Sequence, residues 1–263
     1  MKNHIRELKA SLSKAVSSSM EGASRVGILF SGGLDSSLIA LLAKKHSKKE
    51  KITLYTVGTA DSHDLSNVEH ASKLMDLNSE KIEVCTEDIV IALPKLSKII
   101  GSHHPVKISF ELPLYLGLAN IGDDLILTGQ GADELFGGYS RYLRMEGESL
   151  RVALEKDIKT LITNDIKMDY RLAEHFDKDL VIPYLEEKVV RIAMDIPTEY
   201  KVFKGQRKII LRKAAIQLGL PLSLAKRQKK ASQYSSGIVK ELRRAASDHG
   251  MGTNEYIEHL LSG

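Results

Sequence analysis

Ser31-Gly32-Gly33-Leu34-Asp35-Ser36 combines two hydroxyls, two glycines and a carboxylate in one short stretch. It follows the apolar run Val26 to Phe30 and precedes a helix-like segment. A strand that breaks at paired glycines and re-enters as a helix can point successive N–H groups at phosphate oxygens, with the positive end of the helix dipole behind them. Ser31 and Ser36 add hydroxyl donors. Asp35 would repel a bare phosphate, so its place here implies a Mg²⁺ between the two. The expected ligand is ATP with magnesium, gripped and broken at a pyrophosphate. The spelling differs from both the Walker loop and the dinucleotide fingerprint GxGxxG.

A second strand–glycine–acid turn runs from Leu127 to Tyr139 and reads LTGQGADELFGGY. Asp133 and Glu134 open its helix, where an acid can cap free N–H groups. The alternative for Asp133 is a second carboxylate on Mg²⁺, opposite Asp35, because a hard octahedral cation suits carboxylate and phosphate oxygens. The metal role is preferred for Asp133 and capping for Glu134.

The elements that must position these motifs alternate. Strand-like runs 25–30, 52–57, 81–85 and 123–128 lead into helix-like segments 35–46, 66–77, 87–100 and one starting at Ala132. That alternation predicts an α/β fold, a parallel sheet with helices on both faces. Ligands in such sheets sit beyond the carboxyl ends of the strands. The glycine loop, Val57-Gly58 and Gly129-Gln130-Gly131 should converge there on one crevice. From about 140 onward strands are expected to disappear, leaving helices at 149–163, 166–176, 185–195, 206–218 and 254–262. The expected organisation is an amphipathic opening helix over 1–24 and one domain over 25–263. Within that domain, 25–140 binds nucleotide and 141–263 is mainly helical and closes the crevice.

With 263 residues, 43% hydrophobic and 27% charged, the chain has a globular composition. No run approaches a membrane span, and the N-terminus lacks a signal-peptide core. One cysteine, Cys85, excludes an internal disulfide and argues for a reducing compartment, the cytoplasm. Cys85 ends a strand-like run and is expected to be a buried small hydrophobe. His103 and His104 are expected to line a loop or the substrate pocket, not to bind metal. Net charge is +4, but thirteen Lys or Arg and a single acid lie between Lys201 and Arg244. That stretch reads as a solvated basic surface, as cations facing ATP, or as a nucleic-acid footprint.

The first motif resembles the PP-loop, SGGxDS, of the ATP pyrophosphatases. With Thr128–Tyr139 and Arg227-Gln228-Lys229 in the same order, the chain resembles, over roughly residues 24 to 245, the synthetase domain of asparagine synthetases and the related β-lactam synthetases. The resemblance implies an AMP-forming ligase: a carboxylate attacks the α-phosphorus of ATP, pyrophosphate leaves, and an amine displaces AMP. It implies that Ser31, Gly32, Gly33 and Ser36 hold pyrophosphate and that Asp35 and Asp133 hold Mg²⁺. Lys229 would stabilise charge near the α-phosphate. Lys208 and Arg212, four apart on one helix face, would be secondary phosphate contacts or a solvated face. Leu29, Val57, Gly58 and Gly129 would hold adenine and ribose.

The chain also departs from that pattern. About two dozen residues precede the first strand, so no glutaminase domain is expected, and nitrogen would come as free ammonia, from a partner protein or as another amine. Gln130 replaces a glutamate between the two glycines; an amide orients groups but cannot take a proton. Val181 and Glu186 replace an arginine and an aspartate, and Phe110-Glu111-Leu112-Pro113 stands where asparagine synthetases have small hydroxyl residues before proline, all near the expected acyl pocket. The small-molecule carboxylate substrate is therefore expected to differ from aspartate. Glu111 would repel a second carboxylate or pair with a cationic group, and it also reads as an exposed acid at a helix start. Two further readings stay open: a PP-loop enzyme adenylating a tRNA base, and a non-catalytic nucleotide-binding subunit. A homo-oligomer is also left open.

Overall fold

The computed structural model describes residues 1–48, 51–227 and 236–262. Five parallel strands form one sheet: β1 (Val26–Leu29), β2 (Ile52–Gly58), β3 (Asn78–Glu83), β4 (Leu125–Leu127) and β5 (Asp179–Val181). Their order is β3-β2-β1-β4-β5. β1 is central, with Gly27 opposite Thr53 on one side and Ile126 on the other. The strand order therefore reverses between β1 and β4, and a crevice opens beyond their carboxyl ends.

Adjacent strand residues point to opposite faces, and each face has its own core. Ile28, Ile52, Leu54 and Leu127 pack on one side with α1 (Lys2–Ser19), α2 (Leu34–His46), α3 (His63–Met75) and later helices. Tyr55, Ile126 and Leu180 pack on the other, against α4 (Thr86–Ile100), α5 (Pro105–Leu118) and α8 (Ile166–His175). Burial on both faces is what a parallel sheet requires. Ile5, Leu8, Leu12 and Val16 of α1 enter the first core.

Between β4 and β5 lie α6 (Ala132–Phe136), α7 (Gly147–Thr160), a single π-helical turn (Leu161–Asp165) and α8. After β5 come α9 (Glu187–Asp195), α10 (Ile209–Gln217), α11 (Leu222–Lys226), α12 (Ile238–Asp248) and α13 (Thr253–Ser262). Among the described residues, no helix is long and apolar enough to cross a membrane.

Several expectations are corrected. Strands do not end near 140: β5 pairs in parallel with β4, Leu180 beside Ile126. Its three residues are too short for a visible alternation and run into Pro183. Residues 105–118, given no element above, form α5 despite Pro113 in its interior. α12 was likewise passed over. Cys85 is exposed, not buried. β3 stops at Glu83, so Cys85 becomes the N-cap of α4, where its backbone N–H donates to Asp88 at 2.9 Å. Several cations of the basic stretch point inward, which removes them from a solvated surface or nucleic-acid footprint: Lys201 and Lys208 are 2% and 3% exposed.

Candidate active-site cleft

The ends of β1, β2 and β4 open into a cleft of about 760 Å³. Leu29, Ser31, Asp35, Ser36, Val57, Gly129, Gln130 and Asp133 of the expected site residues line it. The Ser31–Gly33 loop ends at the N-terminus of α2, where Gly33 is the N-cap and the Ser31 N–H donates to Ser36 Oγ at 3.3 Å. The N-terminus of a 13-residue helix therefore faces the cleft, the arrangement that favours an anion. Gly58 ends β2, and the carbonyl of Ser236 accepts from the Thr59 N–H beside it at 2.9 Å.

Two glycines set the spacing at this end. A Cβ on Gly129 would lie 2.8 Å from the Ser36 nitrogen, so the β4 loop can press on the β1 loop only with glycine there. A Cβ on Gly138 would lie 1.6 Å from Asp133 Oδ1 and 2.2 Å from Lys208 Cε. Gly138 is thus the reason that Asp133 and Lys208 can meet; the Phe136-Gly137-Gly138-Tyr139 spelling carried that signal in the sequence.

Lys208 departs from its expected place. It is not a helix-face residue but the cap before α10, in a left-handed conformation with φ 56° and ψ 35°. Such a conformation is uncommon for a residue with a Cβ and costs of order 1 kcal/mol, so its surroundings must hold it there. Its ammonium sits between the two candidate metal ligands, 2.7 and 2.8 Å from the oxygens of Asp35 and 2.6 Å from Asp133 Oδ1. Its side chain is 4% exposed, that of Asp35 6% and that of Asp133 12%. Two carboxylates from separate loops thus converge on one point that already holds a positive charge. This donor set fits a hard divalent cation such as Mg²⁺. No group of three or more metal-ligating side chains occurs among the described residues, so such a cation would complete its shell with phosphate oxygens and water.

Arg212 does not itself line the cleft. Its guanidinium donates to the carbonyls of Arg207 at 3.0 Å, Arg227 at 3.2 Å and Ala225. It anchors the chain that leads to Arg227. Arg227 donates to the carbonyl of Gly32 at 3.0 Å and lies 3.2 Å from His63 Nδ1, so one arginine of the Arg227-Gln228-Lys229 motif rests on the glycine loop. Gln228 and Lys229 lie outside the described residues. Arg207 lines the cleft and donates to the Gly138 carbonyl at 2.5 Å. Glu134, expected as a cap, instead accepts from the Tyr139 hydroxyl.

The other end of the cleft has a different chemistry. Gln130 Nε2 donates to Asp169 Oδ2 at 2.7 Å. Glu111 lies mid-helix in α5 and is 7% exposed, which corrects its reading as an exposed helix-start acid. Its carboxyl is hydrogen-bonded to that of Asp169, itself 2% exposed. Burial, then the charges of Asp169 and Asp165, push the Glu111 carboxyl up to about 10. Burial also raises Asp169. Two buried carboxyls in contact cannot both ionise, so they share a proton. Asp165, on the π-helical turn, Lys107 and the apolar Phe110, Leu161 and Met168 complete this end. Sequence reasoning singled out Glu111 and Gln130 and missed Asp169, whose partners are distant in the chain.

Val181 and Glu186, expected near the acyl pocket, do not line the cleft. Val181 lies in β5, and Glu186 caps α9 by accepting from the Val189 N–H at 3.1 Å. His103 and His104 are exposed in the loop between α4 and α5 and do not line the cleft either.

The family model for asparagine synthase matches residues 7–153 and 144–259. The chain is 34% identical to a provisionally named glutamine-hydrolysing asparagine synthetase of Methanocaldococcus jannaschii, over 97% of this chain and 53% of that protein. It is 24% identical to the glutamine-hydrolysing asparagine synthetase B of Escherichia coli K12, over 88% of this chain and 45% of that protein. The chain thus spans about half the length of the curated relatives it matches. A solved NMN synthetase from Francisella tularensis aligns with a TM-score of 0.48 and 13% identity, over 98% of this chain and 86% of that one.

Proposed function

The chain belongs to the asparagine synthase family, and from that premise we propose that it is an ATP-dependent ligase that activates a carboxylate as its acyl-adenylate, releases pyrophosphate and passes the acyl group to ammonia or another amine. The observation that carries this reading is the convergence of Asp35 and Asp133 on one cation at the N-terminus of α2.

Ser31, Gly32, Gly33 and Ser36 grip the pyrophosphate with backbone and hydroxyl donors. Arg227, fastened to the Gly32 carbonyl, adds positive charge behind them. Asp35 and Asp133 hold Mg²⁺, which when bound neutralises charge developing on the leaving oxygens. Lys208 keeps the two carboxylates converged and supplies a buried positive charge beside the phosphates. Lys229 is assigned the role that its motif implies, stabilising charge that develops on the α-phosphate. Leu29, Val57, Gly58 and Gly129, at the ends of β1, β2 and β4, hold adenine and ribose.

The acyl group extends toward Gln130, Phe110 and Met168. Three acids, Glu111, Asp165 and Asp169, already line that end. A second substrate carboxylate there would add charge to a buried acid pair, so we assign a substrate other than aspartate.

The test is incubation with ATP, Mg²⁺ and a panel of carboxylates, with pyrophosphate and AMP as the readout. Carboxylate-dependent release of both in equal amounts is expected. Cleavage to ADP and orthophosphate instead would refute the reading.

A further inference from the structure

The Glu111–Asp169 pair is a buried polar feature of the cleft that phosphate chemistry leaves without a task. It is not remote from that chemistry. Gln130, which donates to Asp169, follows Gly129, and Gly129 packs against the Ser36 nitrogen of the phosphate-binding loop. A group attached to the α-phosphorus and directed away from the pyrophosphate end therefore meets Gln130 and the acid pair next. The pair also rests on rigid elements: Glu111 on α5 and Asp169 on α8, which pack against each other.

We propose that Glu111 and Asp169 form the proton acceptor for the attacking nitrogen in the second half-reaction. This rests on the ligase reading above and deepens it. The pair carries one proton and one negative charge. Ammonia, or a primary amine, attacks the carbonyl carbon of the acyl-adenylate. The C–N bond forms, the carbonyl carbon–oxygen bond to phosphate breaks, and AMP leaves with the electron pair. The surplus N–H proton passes to the ionised member of the pair, which becomes fully protonated. Asp165, on the edge of the same pocket, returns that proton to solvent. Gln130 cannot accept the proton, but by donating to Asp169 Oδ2 it fixes which oxygen remains for the nitrogen. The charged or titratable groups facing Glu111 are Asp169, Asp165 and Lys107, the last through its attraction to Asp165. A pair that waits half-protonated in a buried site is suited to this work, because burial raises the proton affinity of Asp169, the member left to accept, above that of an ordinary carboxylate.

Two nucleophiles test the pair directly. Both nitrogens shed a proton as they attack, but the electron-withdrawing hydroxyl makes the hydroxylamine adduct the stronger acid, able to lose its proton to water, whereas the ammonia adduct depends on an acceptor. The readout is the ratio of the rate with ammonia to the rate with hydroxylamine, in which any loss of folded protein or of adenylation cancels. In Glu111→Gln, and independently in Asp169→Asn, that ratio should fall about 100-fold. A ratio equal to that of the unmodified protein would overturn the proposal, even where both rates fall. An unmodified protein that releases no pyrophosphate with any carboxylate refutes the ligase reading instead. Infrared spectroscopy then decides the pair separately: a protonated-carboxyl band at pH 7, lost in Glu111→Gln, is expected, and its absence from the unmodified protein would overturn the shared proton.

Discussion

One cleft holds two acid pairs, and they are neutralised in different ways. At the phosphate end Asp35 and Asp133 face the ammonium of Lys208. At the acyl end Glu111 and Asp169 face each other and keep a proton. The surrounding charges account for the difference. Lys208, Arg207 and Arg227 lie at or beside the first pair, whereas Asp165 adds a further acid to the second. Carboxylates from two loops gathered around an ammonium form a donor set that a divalent cation can join. Carboxyls held half-protonated are prepared to take a proton. The difference assigns the phosphate end to breaking ATP and the acyl end to finishing the product.

Removing the cation of the first pair should have the largest effect on stability. Lys208→Met leaves the buried Asp35 and the partly buried Asp133 without the ammonium they share, and should cost about 3–5 kcal/mol in urea unfolding. Adding MgCl₂ should recover more stability in this variant than in the unmodified protein; an equal shift in both would separate Lys208 from the metal position. Gly138→Ala pushes a methyl into Asp133 and Lys208. With the constellation displaced by about an ångström, pyrophosphate release should fall about 100-fold.

The second pair should be visible in the pH dependence of stability. The folded-state pKa of Glu111 is raised, so the folded protein binds more protons than the unfolded chain between the ordinary carboxylate range and about 10. Stability should therefore fall as pH rises through that window, by up to ~1.4 kcal/mol per pH unit. Glu111→Gln should flatten this slope in urea titrations between pH 5 and about 9. An unchanged slope would mean that the pair does not hold its proton.

The first pair was largely legible in the sequence, and the second was not. Asp35 and Asp133 lie in glycine motifs whose local spelling implies a turn and an anion. Glu111 and Asp169 lie in separate helices, and only tertiary packing brings them together. Pro113 also concealed the helix that carries Glu111. Lys208 was singled out for the wrong geometry, because a left-handed lysine follows from its ion pairs and not from helix periodicity. The charge of Arg212 is visible in the sequence, while the carbonyls that bind it are not. β5 was missed because three residues show no period, although pairing with β4 fixes them.

Smaller effects separate structural residues from the cleft. Arg212→Ala removes charged hydrogen bonds to three carbonyls and should cost about 1–3 kcal/mol, measured by urea unfolding. Cys85→Ser, at an exposed cap, should change stability by no more than about 0.5 kcal/mol and leave pyrophosphate release unaltered.

The most direct measurement is carboxylate-dependent release of pyrophosphate from ATP and Mg²⁺, compared between the unmodified protein and Asp35→Asn. Release by the unmodified protein, and its loss in Asp35→Asn with ATP still bound, is the expected result. Equal release by both proteins would contradict the assignment of the phosphate end to breaking ATP.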